Sequence, residues 1–326
     1  MSASHPFVTQ VPRHPSAERE SGAMKDFWYY GLRLRTDLAL EGFPAWPGAP
    51  DAPGLVLRRD RVPERLEDEP ASHRHFARND RGHVLVRFPK RFRLLSLDES
   101  EFHIEVAPGA TMVEIESFLL SYVAGLVLHR RRVFPLHASC VLVEGRAIVI
   151  TGPSGRGKST LATALARQGH MLLSDDITVI RFDPSGMALA VPGSPHSRLK
   201  ADSVRANAVE GASVLDDRAG REKTIWRRDL GHFAPTPVAA VARLDLAPPG
   251  EEPTFTRLRG PAAVLPLPEL VYRFALGRRL GAAGELAHGA LRLAAAAPIY
   301  RLARAREWEG LDAAVAMILE AALIRS

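Results

Sequence analysis

Apolar and polar positions along the first third of the chain follow a period of two. Residues 54–58, 83–88 and 101–106 are short β-like runs, and in the last two apolar and polar side chains alternate. Alternation turns successive side chains to opposite faces, as in half-buried strands. Residues 27–34 (Phe-Trp-Tyr-Tyr-Gly-Leu-Arg-Leu) read as one more strand-like segment, and the Pro-rich stretch 43–54 reads as a loop. The period changes at Thr111. Ile115, Phe118, Leu119, Tyr122, Val123 and Leu126 recur at helical spacing. Thr111 and Glu114 have the spacing of a capping box, in which each side chain satisfies a free N–H at the helix start. The basic run 129–132 suits the negative end of the helix dipole and reads as a solvated last turn.

From residue 133 the pattern becomes strand, turn, strand, loop, helix, strand. Val141-Leu142-Val143 and Ala147-Ile148-Val149-Ile150 flank Glu144-Gly145, a tight-turn pair. The second run is wholly apolar, as a central strand covered on both faces would be. A helix is expected from Lys158 to about Gln168, with Gly169 at the position after it where positive φ is needed. Met171-Leu172-Leu173 then leads into Ser174-Asp175-Asp176, and residues 177–182 form another strand. This is a βαβ reading, with the 171–173 strand beside the one that precedes the loop. Residues 238–246 and 298–302 are further strand candidates, and 267–295 and 308–325 are Ala/Leu-rich and helical in pattern. The expected organisation is a disordered polar tail (1–23), a small mixed β-rich module (24–130) and an α/β P-loop domain (131–326).

Composition narrows the classes. The 326 residues are 46% hydrophobic and 25% charged, ordinary for a globular protein with a sizeable core. The net charge of +6 is modest and Arg-weighted; it suits phosphate handling or an acidic peptide. No DNA partner is expected, because the basic run 129–132 has no aromatic residues interleaved. The single cysteine, Cys140, forms no internal disulfide and no zinc cluster. The N-terminal residues lack the apolar core of a signal peptide. The longest apolar stretch, 115–128, is short for a membrane span. A cytoplasmic protein without a membrane partner is the expectation.

Gly152-Pro153-Ser154-Gly155-Arg156-Gly157-Lys158-Ser159 matches G-x-x-x-x-G-K-[ST], with an apolar strand before it and a helix after it. The glycines let backbone N–H groups curl around phosphates, and the helix N-terminus adds its positive end. Lys158 is placed to reach the β- and γ-phosphates of ATP, and Ser159, followed by Thr160 in the first helical turn, to ligate Mg²⁺. Ser174-Asp175-Asp176 puts two carboxylates at the end of a strand, at the edge where ligands bind in parallel sheets. One would hold Mg²⁺ and the other would accept a proton from an attacking hydroxyl. His137 precedes the hairpin that leads into the loop and could approach the phosphates; taken alone, a histidine among apolar residues is more often structural. The basic residues Arg221, Lys223, Arg227 and Arg228 are candidates for a further cation, although a solvated charge run explains them as well. His73, His75, His83 and His103 show no metal-ligand spacing.

Leu136-His137-Ala138-Ser139, residues 147–159 and 165–176 (LARQGHMLLSDD) resemble the catalytic domain of the HPr serine kinase/phosphorylase family. Pro195-His196-Ser197-Arg198-Leu199-Lys200 and residues 298–306 resemble a shorter branch of that family. Those proteins occur in gene clusters for ribosomally made, modified peptides such as lasso peptides, where the kinase phosphorylates a serine of the precursor. The resemblance implies an HPr-kinase-like catalytic sheet and an ATP- and Mg²⁺-dependent kinase acting on a peptide or small protein. It implies Lys158 and Ser159 as phosphate and metal residues, His137 as a site histidine, and Asp175 and Asp176 as the acid/base pair. Asp176 is the favoured base and Asp175 its metal-holding helper. The family's hexamers leave a homo-oligomer open. The downstream E-[IV]-R-G-x-G-x-x-[ND]-like signature of true HPr kinases is missing, which argues against HPr as acceptor and against a phosphorylase reaction. A P-loop ATPase driving a partner, a nucleotide-sensing module and a small-molecule acceptor remain open alternatives.

Overall fold

The computed structural model of the chain describes residues 23–69, 75–194, 196–200, 213–215, 223–227, 230–264, 270–305 and 310–323. The first sheet has seven strands: β1 (Lys25–Tyr29), β2 (Leu32–Thr36), β3 (Gly54–Arg59), β4 (Phe76–Arg78), β5 (Val84–Phe88), β6 (Phe92–Ser96) and β7 (Glu101–Val106), in the order β1-β2-β3-β7-β6-β5-β4. The expected single strand at 27–34 is instead a hairpin. Tyr30 and Gly31 take φ of 53° and 78° and turn the chain back between β1 and β2. The aromatic run hid the break, because every residue around the turn is buried or half-buried.

Helix α1 (Met112–Arg130) follows, with the Thr111–Glu114 capping box formed as the spacing requires. It is long and apolar enough to cross a membrane, yet 61% of that stretch is buried, as in a core helix. One π turn, Leu119–Val123, interrupts it. Its basic end is not a solvated turn. His129 is fully buried and donates through Nε2 to the Tyr272 carbonyl at 2.8 Å. Arg130 donates to the Gly82 carbonyl at 2.8 Å, and Arg131 donates to the carbonyls of Gly54 and Glu99. The two arginines satisfy carbonyls at the rim of the first sheet, a role that only the tertiary contact reveals.

The second sheet carries the P-loop. Its strands are β8 (Phe134–Leu136), β9 (Ala138–Val143), β10 (Arg146–Thr151), β11 (Met171–Ser174), β12 (Thr178–Phe182) and β13 (Ala188–Val191). A separate three-stranded sheet is made by β14 (His196–Lys200), β15 (Ser213–Leu215) and β16 (Lys223–Arg227). The second sheet is completed by β17 (Thr236–Leu246), β18 (Thr254–Leu258) and β19 (Ile299–Arg304). Helix α2 (Lys158–Arg167) follows the loop, and α3 (Phe274–Arg279), α4 (Ala283–Ala296) and α5 (Leu311–Leu323) come later. The β9–β10 turn forms at Glu144-Gly145 with φ of 47° and 75°.

One pairing differs from the expected βαβ unit. β11 does not lie beside β10; β9 lies between them, antiparallel to both. Two antiparallel steps restore the direction, so β10 and β11 still run parallel and end at one edge. The sheet is mixed, because the hairpin returns β9 into the slot that a simple crossover would fill. The other neighbour of β10 is β17, parallel to it, and β19 pairs parallel with β17.

The apolar core of the first sheet does not close on itself. Leu94, Phe102, Ile104 and Leu126 belong to the same buried cluster as Ile177, Val179 and Val191 of the second sheet and Leu276 of α3. Trp28 donates through its indole N–H to the Gly193 carbonyl at 3.1 Å, tying β1 to the loop after β13. The sheet that bears the P-loop is therefore packed against the preceding module.

Candidate active site

The loop between β10 and α2 takes the form its glycines demand. Gly152 has φ 146°, and a Cβ there would lie 2.9 Å from the Leu244 carbonyl oxygen of β17. Gly157 has φ 94° and caps α2, leaving the helix N-terminus open. Pro153, Ser154 and Gly155 are exposed, Arg156 is half-buried, and Ser159 and Thr160 sit in the first turn of α2. Lys158 is only 7% exposed and curls back over the loop, where Nζ donates to the carbonyls of Gly152 at 2.8 Å and Pro153 at 3.2 Å. Burial pushes its pKa down to about 8, against the upward pull of Asp176 and Asp175.

The adjacent carboxylates have different surroundings. Asp175 is 3% exposed, and its Oδ1 accepts from Ser139 Oγ at 2.6 Å and from Ser159 Oγ at 3.0 Å. Its Oδ2 is buried with no hydrogen-bond partner among the described residues. A buried carboxylate oxygen left in that condition costs free energy unless a cation meets it. Asp176 follows with φ 68°, a left-handed backbone that turns its carboxylate to another side. There its Oδ1 lies 3.2 Å from His137 Nδ1, and its carbonyl lies 3.0 Å from the same nitrogen. A carbonyl only accepts, so Nδ1 carries the proton and the lone pair of neutral His137 is on Nε2.

Asp175 and Ser159 fit a Mg²⁺ ion as its protein ligands. Both offer hard oxygen, and Mg²⁺ keeps its remaining positions for phosphate and water. Among the described residues no group of three His, Cys, Asp or Glu gathers to hold a metal unaided. His73, Arg221 and Arg228 lie outside the described residues, as do residues 1–22 of the expected tail, while Lys223 and Arg227 end strand β16.

Three features had no role assigned from the sequence. Ser139 lies two positions after His137 and reaches Asp175 only because β9 separates β10 from β11. Arg304, at the end of β19, is 4% exposed, and its guanidinium lies 3.5 Å from where a Cβ of Gly157 would stand. It thus adds a cation at the helix N-terminus. The segment 270–273 pairs with the His137 strand: His137 N–H donates to Leu270 O and Tyr272 N–H to Pro135 O, both at 2.9 Å. Between that segment, His137 and Gly152-Pro153-Ser154 lies a cavity of about 240 Å³ at the mouth of the loop.

No family model matches the chain. Among curated proteins, the HPr kinase/phosphorylase of Chlorobium luteolum is 44% identical over 54 residues, which are 17% of this chain and 16% of that protein. The HPr kinase/phosphorylase of Latilactobacillus sakei is 31% identical over 88 residues, 27% of each chain. The matched stretches are thus well under half the length of these relatives. Among solved structures, the Hpr(Ser) kinase/phosphatase from Coxiella burnetii aligns with 55% of this chain and 91% of its own, at 13% identity and a TM-score of 0.29. That superposition is too loose to add to the sequence matches. The two sequence matches support an HPr kinase-like family for this chain, over the part of its length that they cover.

Proposed function

We propose that the protein is an ATP- and Mg²⁺-dependent kinase that transfers the γ-phosphoryl group to a Ser or Thr hydroxyl of a peptide or small protein. A ribosomally made precursor peptide is the acceptor class that the family resemblance suggests. The observation that carries the reading is the divided Asp pair. Asp175 is buried against Ser139 and Ser159 beside the loop, while Asp176 turns away to His137 at the loop's mouth. An ATPase cycle asks for one metal-holding carboxylate; the second, half-exposed carboxylate suits a hydroxyl that must lose a proton.

When bound, Mg·ATP supplies the phosphoryl group and neutralises part of its charge. The chain's own residues do the rest by position and electrostatics. The loop N–H groups and the α2 N-terminus hold phosphate oxygens, and Lys158 exchanges its two loop carbonyls for phosphate. Asp175 and Ser159 hold the metal. The acceptor hydroxyl enters through the cavity between His137 and the 270–273 segment, and Asp176 accepts its proton. His137 holds the Asp176 carboxylate in place through Nδ1–H.

The test is incubation of the protein with γ-labelled ATP, Mg²⁺ and the small peptides encoded beside its gene. Label on a serine or threonine is the expected result. Free phosphate without labelled peptide, from a protein that binds ATP, would move the function to an ATPase acting with a partner. Tight binding with no turnover would leave a nucleotide-sensing module.

A further inference from the structure

A second cavity, larger than the one at the loop, lies on the first sheet. It has a volume of about 680 Å³ and is lined by residues of β5, β6 and the segment after β3. Its carboxylates are committed: Glu69 to Arg87, and Glu64 and Glu105 to Arg93 at 3.1 and 2.7 Å. Arg91 faces Glu114 at 3.4 Å. Arg65 and Lys90 are exposed and make no ion pair among the described residues, so the cavity presents a net cationic rim.

Side chains in successive ring and cation contact, with the buried Tyr272 beneath them, link this cavity to the phosphoryl-transfer site. The His137 ring lies 6.1 Å from the Tyr272 ring, and Arg273 stands over Tyr272 at 5.5 Å and over Tyr122 at 4.8 Å. The Tyr122 ring meets Phe88 at 5.4 Å, and Phe88, 36% exposed, is in the wall of the cationic cavity. Arg273 has a left-handed backbone, φ 50°, and Gly125 of α1 leaves the space that its methylenes fill; a Cβ there would lie 2.8 Å from Arg273 Cδ. The bridge is therefore built from both halves of the molecule. Its four centre-to-centre steps total about 22 Å, an upper bound on the separation of His137 and Phe88, so an extended peptide at ~3.4 Å per residue crosses it in at most about six residues.

We propose that this row is a docking track for an acidic peptide segment that carries the acceptor hydroxyl. The hydroxyl lies at His137, the intervening residues cross Arg273 and the Tyr122–Phe88 shelf, and a carboxylate about six residues away enters the Arg65–Lys90 cavity. This rests on the kinase reading above. The occupant is a peptide rather than a nucleic acid, because Glu64, Glu69 and Glu105 inside the cavity would repel a continuous row of phosphates, whereas a single carboxylate can be met by the exposed Arg65 and Lys90. The first sheet thereby acquires a function that its packing alone does not require.

The test is an array of serine peptides of about thirteen residues, with one Glu, Gln or Lys walked through the positions on either side of the serine, labelled by wild-type protein with γ-labelled ATP and Mg²⁺. Glu about six positions to one side should raise kcat/KM about tenfold over Gln, and Lys there should lower it. The Arg65→Glu/Lys90→Glu variant should invert that order, and Lys90→Glu alone should shift it the same way; both side chains are exposed, and the fold is checked by thermal melting. Labelled peptides with a flat preference, or a Glu preference that survives the charge reversal, overturn the docking track and leave the kinase proposal standing. If wild-type protein labels no peptide at all, the kinase proposal falls and the track with it.

Discussion

The two sheets treat charge in opposite ways. On the first, most ionised side chains are paired and partly exposed, as in Arg93–Glu105 and Arg35–Asp26, with Arg87–Glu69 the more buried pair, and the interior is apolar around Leu94, Phe102 and Ile104. At the P-loop edge of the second, Lys158, Asp175 and Arg304 are almost wholly removed from water, alongside buried Ser139 and Thr151. Surface pairs contribute little, whereas buried charge is destabilising unless a ligand or partner meets it. The contrast locates function by energetics. The P-loop edge keeps buried charged groups that a purely structural sheet would replace with apolar ones, whereas the first sheet carries most of its charge in pairs at its face.

The sharpest way to break this contrast is Lys158→Met. Phosphoryl transfer should fall by at least about 10²–10³-fold, as when one preorganised charge is removed from a transition state. The unliganded melting temperature should hold or rise, because a desolvated cation has been removed. A marked loss of stability would show that Lys158 is structural after all. Next in size is Ser139→Ala, which leaves Asp175 Oδ1 with Ser159 alone. A lost outer partner of a metal ligand should raise the Mg²⁺ concentration needed for half-maximal nucleotide binding by about 10–100-fold; an unchanged requirement would take Asp175 away from the metal.

The lowered pKa of Lys158 gives a smaller, pH-dependent effect. Below pH about 8 the ammonium is charged in both folded and unfolded protein, and its desolvation penalty is fully present. Between about 8 and the ordinary lysine value the folded protein has released a proton that the unfolded chain still binds, so the stability contribution of this group rises with pH. ATP affinity should move the other way, falling by up to about tenfold per pH unit above 8, because phosphate binds the charged form. Titration calorimetry in buffers of different ionisation enthalpy reads the proton taken up; no uptake above pH 8 would contradict the assignment. The smallest effect is expected on the first sheet. Arg93→Gln should cost under about 1 kcal/mol of stability in denaturant unfolding, and leave ATP binding unaltered. A larger loss would make the surface pairs of that sheet structural elements in their own right.

What the sequence reveals of the site is what is contiguous. β10, the glycine loop and α2 follow one another without interruption, and each half of the motif constrains the other, so Gly152 through Thr160 could be placed without a structure. Asp175 and Asp176 reach the same edge because β11 runs parallel to β10. The slot occupied by β9, however, was invisible, and with it the contact of Ser139 with Asp175. Asp176's positive φ is invisible too: a non-glycine residue in the left-handed region follows from tertiary context, not from local preference. Tyr272 and Arg304 come from more than a hundred residues downstream, brought in by β17 and β19, and no spacing rule reaches that far. The buried aromatic turn at Tyr30-Gly31 failed as a signal for the opposite reason: its residues look like strand because they pack like strand.

The central claim is that Asp175 and Asp176 divide metal holding from proton acceptance. Asp176→Asn tests it most directly, with ATP binding and single-turnover transfer to a labelled peptide measured on the same preparation. The account predicts ATP affinity within about twofold of wild type and transfer slower by about 10²–10⁴-fold, the size of a general-base contribution. Transfer at the wild-type rate, or loss of ATP binding together with transfer, would contradict it.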